Sequence, residues 1–419
     1  MKNCLILAIV LIMTFSAFPQ DNKATWKFDG QVQLRSEVDG RDFSNKTHPY
    51  LFSSLRTRLG ASANISDKVL FYAQMQDSRV MGEEATVSTN TKNLDLHKGY
   101  VKLVDPLDLP LSIQAGRFEV AYGTERFLGS SQWNYISKSW DGVRFQYNKS
   151  FKLDIFALTK NDSMAYISSV TPTTFSYPAK NIYSASLYGF WFTDQLDQSN
   201  KLDIFSYYDI SRKYDSNDNP DLSQGTFGFN HTGSYGVLSS LTEAAYQYGK
   251  KGTKNISAYT ISAQGFMKVL SGKVGIGADI VSGTDPNSTT DFNTFDLSYG
   301  TPHRRYGLMD YFYESYSSTY GLGVNDFYVT STYDVPNSAL NLSLDLHLLN
   351  SNKAKVNYGT RLGEEVDLTV KYNLIKETAL TWGGSIFFPG DLMKFYFNTA
   401  KGERTDIGFW SYVMITSSL

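Results

Sequence analysis

Hydrophobic and polar residues alternate along almost the whole chain from Trp26 to Leu419, and almost no stretch carries a convincing 3.6-residue repeat. Alternation with period two marks β-strands whose two faces meet different surroundings. The clearest case is Ser54 to Ala63. Leu55, Thr57, Leu59, Ala61 and Ala63 take one face, while Ser54, Arg56, Arg58, Gly60 and Ser62 take the other. In a soluble sandwich the apolar face would be the core. In a membrane barrel it faces lipid, and the arginines face a wet lumen.

The alternation predicts strands over 26–38, 51–64, 68–78, 94–104, 111–120, 141–148, 151–160, 182–192, 200–211, 222–231, 236–248, 255–268, 273–282, 322–334, 338–350, 361–374, 377–388 and 405–419. Connection lengths separate sandwich from barrel. Tight turns fall near Ser66-Asp67, Asn148-Lys149-Ser150, Gly233-Ser234, Ser271-Gly272, Pro336-Asn337 and Ile375-Lys376. Long connections fall at 39–50, 79–93, 121–140, 161–181, 283–321 and 389–404. Short turns at one end and long loops at the other are the signature of a transmembrane barrel, whereas a sandwich mixes its loop lengths. The fold read from the chain is all-β: a transmembrane antiparallel β-barrel of about eighteen strands, with short periplasmic turns and long extracellular loops. The sheet has to close, because an open edge in hydrocarbon would strand backbone N–H and C=O groups. An even strand count returns both termini to the periplasmic side.

Residues 1–20 read as a cleaved secretion signal. Lys2 supplies its positive end, Leu5 to Phe15 is apolar apart from Thr14, and Ser16-Ala17-Phe18 offers a cleavage region ending by Gln20. Residues 21–419 then form a single barrel domain. Cys4, the one cysteine, lies inside the signal, so the mature chain is expected to have no disulfide, thiolate metal site or cysteine nucleophile. No later run reaches the roughly 18 apolar residues of a membrane helix. The 29 Tyr and 27 Phe exceed what a soluble chain needs and suit aromatic girdles at two membrane interfaces. A net charge of −2 gives no basic excess for nucleic acid. The chain ends on Leu419, where such barrels usually end on an aromatic residue.

An ordered series of segments carries a family resemblance. Arg56-Thr-Arg-Leu-Gly is followed by Gln76-Asp-Ser-Arg, Asp95-Leu-His-Lys-Gly-Tyr-Val, Gly116-Arg-Phe-Glu-Val-Ala-Tyr-Gly-Thr-Glu-Arg-Phe-Leu-Gly, and Trp133 with Trp140-Asp-Gly-Val-Arg-Phe. Together these resemble the alginate export family of outer-membrane porins. Pro302-His-Arg-Arg-Tyr-Gly-Leu-Met-Asp310 is similar to that family's late loop segment; Gly363-Glu-Glu-Val-Asp-Leu and Phe388-Pro-Gly-Asp391 match its closing strands more loosely. The resemblance implies an eighteen-stranded monomer in the outer membrane. It would pass an anionic polysaccharide such as a polyuronate, or another anionic solute, with periplasmic export partners.

Moving a chain with a carboxylate on every sugar needs cations that bind each one briefly. Arg suits this because its planar fork matches a carboxylate and its charge does not titrate away. Acidic neighbours keep the attraction from becoming a trap. The candidate path is Arg56, Arg58, Arg79, Arg117, Arg126 and Arg144, with Arg304, Arg305 and Arg361 from the later half, beside Asp77, Glu119, Glu125 and Asp141. Arg117 falls in phase with Leu111, Ile113 and Ala115, which read as lipid-facing. Either Gly116 marks a bulge that changes the phase, or Arg117 lies above the membrane. Each arginine could equally brace the wall by pairing with a carboxylate.

Other motifs point to no cofactor or metal. His97 has no partner at ligand spacing and reads as a lumen hydrogen-bonding residue. Asp215-Ser-Asn-Asp-Asn-Pro-Asp221 has Pro220 where a calcium loop needs Gly, and reads as an exposed turn. The loop 79–93 reads as an ordinary extracellular loop, with a gate folded over the mouth as the alternative. Three functions follow in order: a channel, a barrel enzyme with Ser/His or Asp/His at its rim, and an adhesion or structural barrel with a blocked lumen. A barrel of this size normally leaves an aqueous passage, which favours the channel over an enzyme.

Overall fold

Each alternating stretch forms a strand, because period two puts every second side chain on one face of a pleated sheet. In the computed structural model β1 (Thr25–Gly40), β2 (Tyr50–Ser66), β3 (Val69–Val80), β4 (Leu94–Val104), β5 (Leu111–Phe118) and β6 (Trp140–Asn148) make the first third of the wall. β7 (Lys152–Asp162), β8 (Ser184–Gln195), β9 (Asn200–Tyr214), β10 (Pro220–Tyr235), β11 (Leu238–Lys251) and β12 (Lys254–Val269) continue it. β13 (Gly272–Val281) is followed by β14 (Asp291–Phe292), a two-residue segment that lies parallel to β12 and is not part of the ring. β15 (Val324–Asp334), β16 (Leu340–Lys355), β17 (Gly359–Ile375), β18 (Thr378–Pro389) and β19 (Gly408–Ser418) complete the wall. Neighbours pair antiparallel throughout. β1 pairs with both β2 and β19, Gln31 lying opposite Ser418, so the barrel closes at eighteen strands.

The structure describes residues 24–419 except 84–92, 163–183, 215–219, 302, 304, 313–317 and 402–404. The expected signal, most of loop 79–93, most of Asp215–Asp221 and Arg304 lie outside the described residues. All eighteen expected strands are present, and 94–104 has the predicted bounds. The two-sided loop rule has exceptions. β11 reaches β12, and β16 reaches β17, by tight turns at the end that otherwise carries the long loops. The absence of helical pattern also needs one correction: the connection after β18 contains α1 (Asp391–Lys401), with Leu392, Met393 and Tyr396 buried. Eleven residues are too few for a periodic signal to stand out among the alternating strands.

The outward face is apolar, with Phe28, Leu59, Phe71, Phe145 and Ile276 exposed for lipid. The inward face is largely polar, with buried aromatic and aliphatic patches on β5, β6, β18 and β19 (Phe118, Trp140, Phe387, Trp410 and Tyr412) and the densest one over β7–β9. There Phe156, Leu158, Leu187, Trp191, Phe205 and Tyr207 point inward and are buried. Two long connections explain this. Residues 119–139 and the described part of 282–323 turn into the barrel and bring Phe127, Leu128, Phe295 and Tyr299 against that wall. Phe127 packs 4.6 Å from Phe205, which stacks on Trp191 at 4.4 Å. Each such side chain, fully buried, contributes about 1.5–3 kcal/mol, enough to hold a polar loop inside the lumen.

Candidate functional site

The register sorts the inward charges into one mainly basic arc, in which Asp29 and Glu37 on β1 and Asp154 on β7 are interspersed, and one mainly acidic arc. Arg35 on β1, Arg56 and Arg58 on β2, Lys98 and Lys102 on β4, and Arg144 on β6 form a basic arc. Asp203 and Asp209 on β9, Glu243 on β11, Asp279 on β13, Asp326 on β15, Asp345 on β16, and Glu365 and Asp367 on β17 form an acidic arc. Asp279 lies directly opposite Asp326, and Asp345 opposite Asp367.

The inward connections dock on these arcs by charge. Arg56 is 2 % exposed and donates to the carbonyls of Gln132 (2.9 Å) and Asn134 (2.6 Å) and to the Ser137 hydroxyl (3.0 Å). Arg58 donates to the side-chain oxygen of Gln132 at 2.7 Å. From the same connection Arg126 reaches Glu243 at 2.7 Å and Asp279 at 3.0 Å. β2 and β11 stand nine places apart in a ring of eighteen, so residues 119–139 bridge the full diameter. The second connection is anchored at Asp209, which accepts from the Tyr299 hydroxyl. It is also anchored on β17, where Asp367 and Glu365 accept the Leu308 and Met309 N–H groups at 3.1 and 2.7 Å. The two connections touch at several points, among them the stack of Trp133 on His303. Arg35 fixes that point, donating to the Trp133 carbonyl at 2.7 Å with its guanidinium 4.0 Å from the indole centre.

Burial would lower the Arg126 guanidinium, but Asp279 and Glu243 raise it well above its usual range. Arg305 is different. Its hydrogen-bond partners are the Thr301 and Thr124 carbonyls (2.7 Å each) and the Thr124 hydroxyl, all without formal charge. Burial, together with the Arg126 charge, pushes it down to about 10. It therefore stays cationic at neutral pH. Burial would raise Glu119, but hydrogen bonds from His97 (2.8 Å) and Gln132 (2.5 Å) and the Lys98 charge bring it down to about 2. His97 also accepts from Ser139 at 2.9 Å, so Ser139, His97 and Glu119 form a line. A serine against a base is a nucleophile's geometry. These three residues, however, line neither lumen cavity, and they clamp the two ends of one connection to β4.

Below the bridges, towards the short-turn end, two cavities open into the lumen among the described residues. One of about 830 Å³ lies beneath Trp133, Arg305 and Tyr306 and extends to the β17–β18 turn at Lys376 and Glu377. The other, of about 500 Å³, lies beneath Tyr122 between β4 and β8.

A profile of the family described as alginate export matches residues 25–315, well over half of the chain. The chain belongs to the alginate export family. Among solved structures, this member is similar in fold to Pseudomonas aeruginosa OccK8 (OprE), at 12 % identity over 94 % of this chain and 98 % of that one, TM-score 0.61. Acinetobacter baumannii OccAB2 is 11 % identical over 94 % and 98 %, TM-score 0.60. A BenF-like porin from Pseudomonas fluorescens Pf-5 is 12 % identical over 94 % and 98 %, TM-score 0.59. No curated protein matches. Family and fold together make this protein an outer-membrane porin-type channel.

Of the residues expected to line the path of this family member, Arg56, Arg58, Arg126, Arg144, Arg305, Glu119 and Glu125 are inside the barrel. Glu125 ties the two connections together, accepting the Ser130 N–H at 2.8 Å and the Thr301 hydroxyl at 2.7 Å. Asp77, Arg79, Arg117 and Asp141 face outward near the outer ends of their strands, not into the lumen. Asp77 and Arg79 lie opposite Thr57 and Leu55, on the outward face with Phe71 and Met75, and pair with each other at 2.5 Å. The register runs unbroken through Gly116, which lies opposite Tyr100 and Gly142, so no bulge changes the phase. Arg117 therefore stays outward with Ile113 and pairs with Asp141 at 2.7 Å near the outer rim. Gly116 is required for another reason: at φ +128°, a Cβ there would lie 2.3 Å from the Gly99 carbonyl. Arg361, 63 % exposed, pairs with Glu364 at the outer end of β17, away from the bridges. Sequence reasoning missed Arg35, the acidic arc and the Trp133–His303 contact. The arc was readable from the phase of Asp279, Asp326 and Asp367 within their strands; the contact was not.

Proposed function

We propose that this channel passes solutes bearing a carboxylate, uronates among them, along the basic arc. The observation that carries this is charge held by neutral partners: Arg56 donates to the Gln132 and Asn134 carbonyls, Ser137, Gln31 and Gln33, none of them a carboxylate. Once the loops have docked, Arg56 Nε, Arg58 Nη2 and Arg144 Nε are buried without an acceptor among the described residues. They keep a positive potential on one side of the lumen, where a carboxylate in transit is favoured. The diameter-spanning bridges favour small acids over a thick polymer, and an alginate-like chain would require both connections to move aside. Vanillate, also a carboxylate, accompanies Pseudomonas aeruginosa OpdK, a barrel of the same fold at 11 % identity and TM-score 0.57. The same reading takes residues 1–20 as a cleaved signal and 21–419 as one monomeric barrel.

Planar-bilayer conductance of the refolded protein tests it, with glucuronate and oligouronates titrated on either side. We expect anion-selective current that uronates block, and a weaker block in Arg56→Ala combined with Arg58→Ala. An open channel indifferent to every carboxylate would discard the substrate class and keep the porin.

A further inference from the structure

The two cavities at the short-turn end differ in sign. The larger is lined by Glu125, Glu243, Asp279, Asp326, Asp345 and Glu377 against four cations, Arg126, Arg305, Lys371 and Lys376. The smaller is lined by Lys102, Lys149 and Lys152 against Asp105 and Asp154. An anion approaching from the periplasm meets a carboxylate-rich cavity on one side and a lysine-rich cavity on the other.

The smaller cavity is also the better fitted to a sugar acid or other compact organic acid. Lys102 projects into it from β4 and is steadied by the Gln146 side-chain oxygen at 3.0 Å. Asp154 is already engaged, accepting from the Tyr122 hydroxyl at 2.7 Å and from Gln146 at 3.1 Å, with Arg144 at 3.5 Å. Its charge is therefore answered from within the wall, and the lysines are left to face the space. The roof is aromatic: Tyr122 stacks on Trp191 at 5.0 Å and 11°, a surface against which the apolar face of a sugar or an aromatic ring can pack. Ser112, Asn148 and Thr193 add neutral hydrogen-bonding groups. At about 500 Å³ the space fits a small acid rather than a polymer.

We propose that the cavity beneath Tyr122, lined by Lys102, Lys149 and Lys152, is the periplasmic docking site for the carboxylate-bearing solute, and that the larger cavity beneath Arg305 is not. This rests on the reading that the channel passes carboxylates, and it assigns the entry route.

The test is the half-blocking concentration of glucuronate in planar bilayers, with glucose and glucosamine as neutral and cationic controls. Lys102→Gln combined with Lys152→Gln should raise that concentration about fivefold or more, the effect of losing two partly exposed ion contacts. Lys371→Gln combined with Lys376→Gln, in the other cavity, should change it less than about twofold. Heat-modifiable gel mobility confirms that both variants are folded barrels. The opposite ranking, or equal effects in both cavities, would overturn the assignment while leaving a carboxylate channel in place. A wild-type channel that glucuronate never blocks would overturn the channel reading and the docking site together.

Discussion

The indole of Trp133 and the imidazole of His303 stack with their centres 3.8 Å apart and their planes within 4°. One residue comes from the connection after β5, the other from the connection after β13. This contact, with Arg35 beside it, joins two loops of distant origin into one cross-brace together with the hydrogen bonds of Glu125 and Arg305. The Asp310 carboxylate, 3.0 Å from His303 Nδ1, holds the ring in its plane.

Trp133→Ala should loosen that brace. Aromatic contacts of this kind contribute about 0.5–1.5 kcal/mol beyond buried area, so the closed arrangement should be disfavoured by up to roughly tenfold. Single-channel recordings should show larger or more frequent openings than wild type. Conductance and gating that match wild type would mean the stack does not hold the loops.

Arg126→Ala should be more damaging than the lost packing alone suggests, because it leaves Glu243 and Asp279 buried without their cation. Breaking such a site costs about 3–5 kcal/mol. Urea unfolding in detergent should register the loss, and adding Glu243→Gln should recover part of it. A loss under about 1 kcal/mol would show that water already reaches the pair.

Glu119→Gln makes a pH-dependent prediction. The carboxyl sits at about 2, below its usual value of 4.5. A depressed carboxyl stabilises the fold fully above the unfolded value and loses that contribution as pH falls through 4.5 towards 2. The variant should be less stable than wild type at pH 7, by at most about 3 kcal/mol, and the two should converge near pH 2. A gap that stayed constant over that range would place the effect in packing rather than charge.

Arg117→Ala should leave ion selectivity and uronate block unchanged, because the side chain faces outward and pairs with Asp141. Stability should move by less than about 1 kcal/mol. A selectivity change as large as that of Arg56→Ala would mean the rim steers solutes into the mouth.

The wall was legible because its rule is local. Leu55 and Arg56 declare opposite faces within two residues, and the same alternation located every strand. Phase alone would also have placed Arg79 and Arg117 outside, since each shares a face with apolar neighbours. For Arg117 the sequence left a bulge at Gly116 and a place above the membrane both open, and the unbroken register decides for the outward face. The interior was less legible because it is made by loops. Phe127 and Tyr299 lie in segments with no period, and their partners Phe205 and Asp209 are far away in the chain. The one local sign was a failure of the rule: Phe205 and Tyr207 are aromatic on the face that should be wet, which requires something to cover them.

The bridges also constrain the order of assembly. Gln31 meets Ser418 only when the first and last strands find each other, so the ring stays open until the end of the chain has arrived. Residues 119–139 must lie within its circumference by then, gripped at one side by Arg56 and at the other by Glu243. A ring closed without those segments would hold two charged arcs facing each other across an empty bore. Slow, non-local closure gives the internal spokes time to seat before the rim is sealed.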